Sequence, residues 1–145
     1  MHTSILIASD GTEPSQRAVV YGIKLAKMSG AKIIGLTVTQ PLHTGTPRAL
    51  IPDHLRSVLA AETTRVAHEV LAHIEKAAKD AGLAVESVHT SHDHPWEDIV
   101  RVAKDKGCDL IVMASHGRRG AAALILGSET QKVLTHSKVP VLVVR

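Results

Sequence analysis

Short aliphatic runs alternate with helix-length segments along the whole chain, and this alternation restricts its fold more than any other feature. Residues 4–8, 32–38, 110–113 and 139–144 are each rich in Ile, Val or Leu, without regular polar alternation. Residues 84–90 make a fifth candidate strand. Runs that are apolar on both faces suit a parallel sheet covered on both sides. Between them, residues 13–28 place Val19, Ile23 and Ala26 on one stripe, and in residues 54–81 Val66, Val70, Ile74 and Ala77 recur at helical spacing. Thr12 is placed to cap the first helix, ahead of Glu13 and Pro14, and Gly30 follows as a stop. Residues 95–106 carry Glu97 and Asp98 early and Lys104 and Lys106 late, which complements a helix dipole. Residues 128–137 form the last helical segment. The strand–helix order implies right-handed crossovers and a doubly wound α/β domain over residues 1–145. Its sheet is expected to be five-stranded and mostly parallel, with helices on both faces.

Composition narrows the function classes. The 145 residues include no Phe, one Trp and one Tyr, so the core must be aliphatic and base stacking on aromatic side chains has no platform. The net charge is only +3, and Arg118-Arg119 is the one adjacent basic pair, so neither a nucleic-acid nor a membrane partner is expected. The lone Cys108 opens an apolar run, which suggests a buried, inert thiol and allows no internal disulfide. The first residues lack the pattern of a signal peptide, and no run reaches the roughly 18 apolar residues that span a bilayer, so a cytoplasmic protein is expected.

In open α/β sheets ligands bind beyond the carboxyl ends of the strands. After the first strand comes Ala8-Ser9-Asp10-Gly11-Thr12. Here Asp10 can accept from ribose hydroxyls or help hold a metal, or it can simply shape the entry to the helix as an Asx-turn. After the fourth comes Ala114-Ser115-His116-Gly117-Arg118-Arg119-Gly120, and further on Gly127-Ser128-Glu129-Thr130. Glycines let backbone approach a ligand, and a helix opened by Gly-Ser presents unsatisfied N–H groups at the positive end of its dipole. With the Ser128 and Thr130 hydroxyls and Arg118, these groups can cradle phosphates; the same residues can also merely make a turn. The chain contains neither Gly-x4-Gly-Lys-Ser/Thr nor a Gly-x-Gly-x-x-Gly after a strand, which speaks against a P-loop and a Rossmann site.

These motifs resemble those of the universal stress proteins across essentially the whole chain. That family opens with a strand ending in an Asp-Gly-Ser-like turn, matched by Asp10-Gly11-Thr12. Its ATP-binding members carry Gly-x2-Gly-x9-Gly-Ser/Thr; here Gly117, nine residues and Gly127-Ser128 match the last elements, while Ala114 stands at the first glycine. The Val139-Pro140-Val141-Leu142-Val143-Val144-Arg145 ending is also typical. The resemblance implies an adenine-nucleotide α-hydrolase-like fold binding ATP with Mg²⁺. Ala8, Ser9 and Asp10 would line the adenosine, Val38 would bond adenine through its backbone, and Met113 would flank the base or ribose. Ser115, Gly117, Arg118, Gly127, Ser128, Glu129 and Thr130 would surround the phosphates. A glycine at position 114 would supply either a positive φ or room for the ligand; with a negative φ, Ala114 would leave binding intact. The resemblance further implies a homodimer through strand 139–144.

Other constellations assemble less well. His89, His92 and His94 lie in a loop with no cysteine and no regular zinc spacing, so no metal site is expected there. Gly-x-Ser-x-Gly is absent, and Ser115-His116 are chain neighbours in no nucleophile elbow. Three functions are therefore compared: an ATP-binding regulatory module of the stress response, a nucleotide-free dimerisation module of the same fold, and a slow ATPase or adenylate-transferring enzyme. The Gly117-x9-Gly127-Ser128 spacing favours the first over the second. No evident general base beside the phosphates speaks against the third, so no catalytic residue is assigned.

Overall fold

The computed structural model describes residues 1–42, 47, 50–117 and 125–145. Their elements follow in chain order: β1 (Ser4–Ala8), α1 (Glu13–Ser29), β2 (Lys32–Thr39), α2 (Asp53–Asp80), β3 (Val85–Ser91), α3 (Pro95–Asp105), β4 (Leu110–Ala114), α4 (Ser128–His136) and β5 (Val141–Val144). The strands form one sheet in the order β3-β2-β1-β4-β5, and every neighbouring pair is parallel.

The aliphatic runs lack polar alternation because both sheet faces are buried. Ile5, Ile7, Ile33 and Val112 pack with Val19 of α1 and Ile74 of α2 on one side. Leu6, Ile34, Leu36, Ile111 and Met113 pack with Ile99 of α3 and Val133 of α4 on the other. Each fully buried Ile, Leu or Val contributes roughly 1.5–3 kcal/mol of transfer free energy. Cys108 belongs to the second cluster, and burial pushes its thiol above the usual range. No helix among the described residues is long and apolar enough to cross a membrane.

Two local expectations need correction. Thr12 occupies the cap position of α1 but makes no side-chain cap; its hydroxyl donates instead to Asp10 Oδ1 at 2.6 Å. The last strand begins at Val141, two residues later than its apolar run. Pro140 has no N–H to give a ladder, and Ser137 Oγ ties Val139 into a turn, donating to its carbonyl at 2.7 Å.

Candidate functional site

The strand order reverses between β1 and β4, whose following helices lie on opposite faces, and a crevice opens there beyond their carboxyl ends. It is a cleft of about 930 Å³ reaching from the end of β2 to the start of α4. Val66, Ala67 and Val70 of α2 form one wall, and Pro95 and Ile99 of α3 contribute to another.

Asp10 stands where β1 ends. Its Oδ1 accepts from Thr12 N–H at 3.0 Å, Thr12 Oγ1 at 2.6 Å and Ser15 Oγ at 2.7 Å. Gly11 makes this turn possible with φ of +80°. Asp10 is thus an Asx-turn residue, and it also lines the cleft. Ser9 is buried, accepts from Gly11 N–H through its hydroxyl, and donates its own N–H to Leu36 C=O at 2.9 Å. That bond closes the β1–β2 ladder. Lys32 and Leu36 turn their backbone groups toward β1, whereas Ile33 and Thr39 turn theirs toward β3. Two residues beyond Leu36, Val38 therefore directs its N–H and C=O past the end of β1, into the cleft it lines.

The opposite rim comes from the β4–α4 segment. Gly117 approaches Asp10 so closely that a Cβ there would lie 2.5 Å from Asp10 Oδ2. Gly127 donates to Ser115 C=O at 2.7 Å, and a Cβ on it would meet that same oxygen at 3.1 Å. A side chain there would press on the carbonyl that Gly127 itself bonds. The first intrahelical bond of α4 runs from Gln131 N–H to Gly127 C=O, so the N–H groups of Ser128, Glu129 and Thr130 precede the ladder at the cleft.

The remaining expected residues divide. Ala8, Met113, Ala114, Ser128, Glu129 and Thr130 line the cleft. Thr130 Oγ1 donates to Ala114 C=O at 3.0 Å, and Glu129 reaches α3, where its carboxylate accepts from Trp96 N–H at 2.8 Å. Ser115 is buried behind the cleft, its Oγ 3.1 Å from His116 Nδ1. Arg118 lies outside the described residues. No described residue other than glycine has a positive φ, so Ala114 is ordinary strand backbone, and its methyl packs in the cluster on the α1 side. Thr37, Thr39, Gln40 and His116 join the lining without having been singled out. Two polar threonines closing an aliphatic strand were the available signal. Of the three histidines expected in a loop, His89 instead lies in β3, where its Nε2 meets Thr39 Oγ1 at 2.9 Å, while His92 Nδ1 accepts from His94 N–H at 2.9 Å. Among the described residues no three His, Cys, Asp or Glu side chains are grouped to hold a metal ion.

The model of the universal stress protein family matches residues 1–145. The chain belongs to that family. It is 29% identical to the Bacillus subtilis universal stress protein YxiE, with both chains fully covered. In structure it is similar to protein MJ0577 of Methanocaldococcus jannaschii, with a TM-score of 0.84, 28% identity, and 99% and 96% of the two chains covered. It is also similar to a universal stress protein solved in complex with cAMP, with a TM-score of 0.74, 27% identity, and 99% and 97% covered.

Proposed function

We propose that this universal stress protein binds an adenine nucleotide, ATP with Mg²⁺, in the cleft between β1 and β4 and acts as a nucleotide-responsive regulatory module. The observation that carries the proposal is the convergence, in one cleft, of the Val38 backbone pair, the Asp10 carboxylate and the open start of α4. A backbone N–H and C=O side by side complement the acceptor N1 and donor N6 of adenine; guanine presents the reverse pair. Asp10 suits a ribose hydroxyl. The N–H groups of Ser128, Glu129 and Thr130 suit phosphate oxygens. The cAMP complex of a relative 27% identical supports the same ligand class. Mg²⁺ is bound chiefly by phosphate and water oxygens and needs few protein ligands, so it can enter on the nucleotide's phosphates while Asp10 serves the ribose.

Melting the protein with and without ATP and Mg²⁺ tests the proposal. A ligand held only by the folded state stabilises it by about 2.7 kcal/mol at a hundred times its Kd, so a clear rise in Tm is expected. Unchanged melting with ATP, ADP and AMP at millimolar concentration would favour a nucleotide-free module.

We further propose a homodimer through β5. This edge strand has one neighbour, β4, and all four of its residues are only partly buried. Ile111 N–H bonds Pro140 C=O and Ser115 N–H bonds Val144 C=O, so the even positions face β4. Val141 and Val143 then turn their backbone groups outward, where a second β5 can meet them.

A further inference from the structure

At the β3 edge of the sheet lies a smaller cavity of about 510 Å³, lined by His68, Leu71, Ala72 and Glu75 of α2 and by Ser87 and His89 of β3. Its two imidazoles meet edge to face, ring centroids 6.4 Å apart. His89 also lies on Thr39, whose Oγ1 donates to Thr90 C=O at 3.3 Å. Thr39 lines the nucleotide cleft, and so do Val66, Ala67 and Val70, which flank His68 along α2. One pair of rings thus touches both the end of β2 and the helix that walls the cleft. The position on α2 matters. Its buried residues are Ala67, Leu71, Ile74 and Ala78, so no α2 residue before Ala67 is buried and His68 stands at the first turn packed into the core.

We propose that His68 and His89 form a proton-operated latch between α2 and β3 that loosens the cleft wall when both rings are charged. Its effect on ligand affinity rests on the nucleotide proposal; the loosening of α2 does not. Burial holds the His89 imidazole below the usual histidine range, and the neighbouring His68 charge acts in the same direction. Neighbouring charges are already engaged. Glu75 of α2 accepts from Ser87 Oγ, and Arg65, one turn before His68, is paired with Glu62 and Glu69. The group that β2 presents to His89 is the Thr39 hydroxyl, and past the end of β3 His92 lies 3.4 Å from Glu97. The unfolded chain protonates His89 near the ordinary histidine value of about 6.5, the folded chain only at lower pH. The stabilisation is therefore whole above about pH 6.5 and is lost as the pH falls from there toward the folded value.

Amide hydrogen exchange, corrected for its intrinsic pH dependence, reads the latch directly. Between about pH 7.5 and about pH 5.5, α2 and β3 amides of the wild type should lose about fivefold in protection relative to His68→Gln. His89→Gln, which keeps a side-chain N–H for Thr39 and also removes the titration of the buried ring, should lose no more protection than His68→Gln. Equal losses in all three proteins overturn the latch. ATP affinity at the same two pH values tests the link to the cleft, because comparing wild type with His68→Gln cancels the protonation of the phosphates. A further threefold loss or more is expected in wild type, equivalent to about 0.65 kcal/mol, and an identical loss removes the link. If neither protein binds ATP at the higher pH, the nucleotide proposal fails, and the exchange result alone decides the latch.

Discussion

At the scale of single residues, Asp10 has two duties that substitution can separate. Its Oδ1 takes three donors from Thr12 and Ser15, so Asp10→Ala leaves the entry to α1 without its acceptor. A loss of about 2 kcal/mol in urea unfolding is expected. Asp10→Asn retains an amide oxygen at Oδ1 and should cost less than about 1 kcal/mol, while the lost charge weakens ATP binding. Ala114 makes an opposite case. Its methyl belongs to the core cluster on the α1 side, and its backbone pairs with Val144 in the β4–β5 ladder. Ala114→Gly should therefore destabilise the protein by roughly 1–2 kcal/mol, through lost burial and greater chain entropy. Calorimetric ATP affinity should change by no more than about threefold. A large gain in affinity would show that the methyl obstructs the ligand after all.

At the scale of elements, α3 and α4 are joined by a cap that crosses between helices. Trp96 is in the first turn of α3, and its N–H bonds the Glu129 carboxylate from the first turn of α4. The ring of Trp96 stacks on His136 at 4.3 Å, near the other end of α4. Glu129→Ala should cost about 1 kcal/mol, as loss of a helix cap does, and should shift the emission of the only tryptophan. Glu129 was expected at the phosphates through the motif, and its tie to α3 could not be read from residues 33 apart in sequence. The element pattern itself was legible where burial is two-sided, as in β1, β2 and β4. β3 was less so, because an edge strand tolerates Glu86, Ser87, His89 and Thr90. Residues 139 and 140 read as strand on hydropathy, but Pro140 cannot donate to a ladder. In the cleft, Asp10, Gly117 and Gly127 carried a local signal. Thr39 carried only the signal of a polar residue closing an aliphatic strand, and Val66 and Val70 carried none, because their place in the lining depends on how α2 packs beside the sheet.

At the scale of the whole molecule, the proposed assembly and the proposed ligand use different ends of the same sheet. Val143→Pro deletes an outward N–H without touching the bonds to β4, so it should weaken the dimer while leaving the monomer folded. Sedimentation at micromolar concentration should show dimeric wild type and a variant shifted toward monomer. A wild type that is already monomeric contradicts the β5 interface. The ligand claim is met most directly by calorimetric titration of the wild type with ATP and with GTP, each with Mg²⁺. With Val38 presenting an N–H and a C=O to the base, saturable ATP binding and at least about tenfold weaker GTP binding are predicted. Gly117→Ala, whose Cβ would press on Asp10 Oδ2 from 2.5 Å, should lose much of the ATP signal. No heat from ATP at millimolar concentration, or equal affinity for the two bases, would contradict adenine recognition in this cleft.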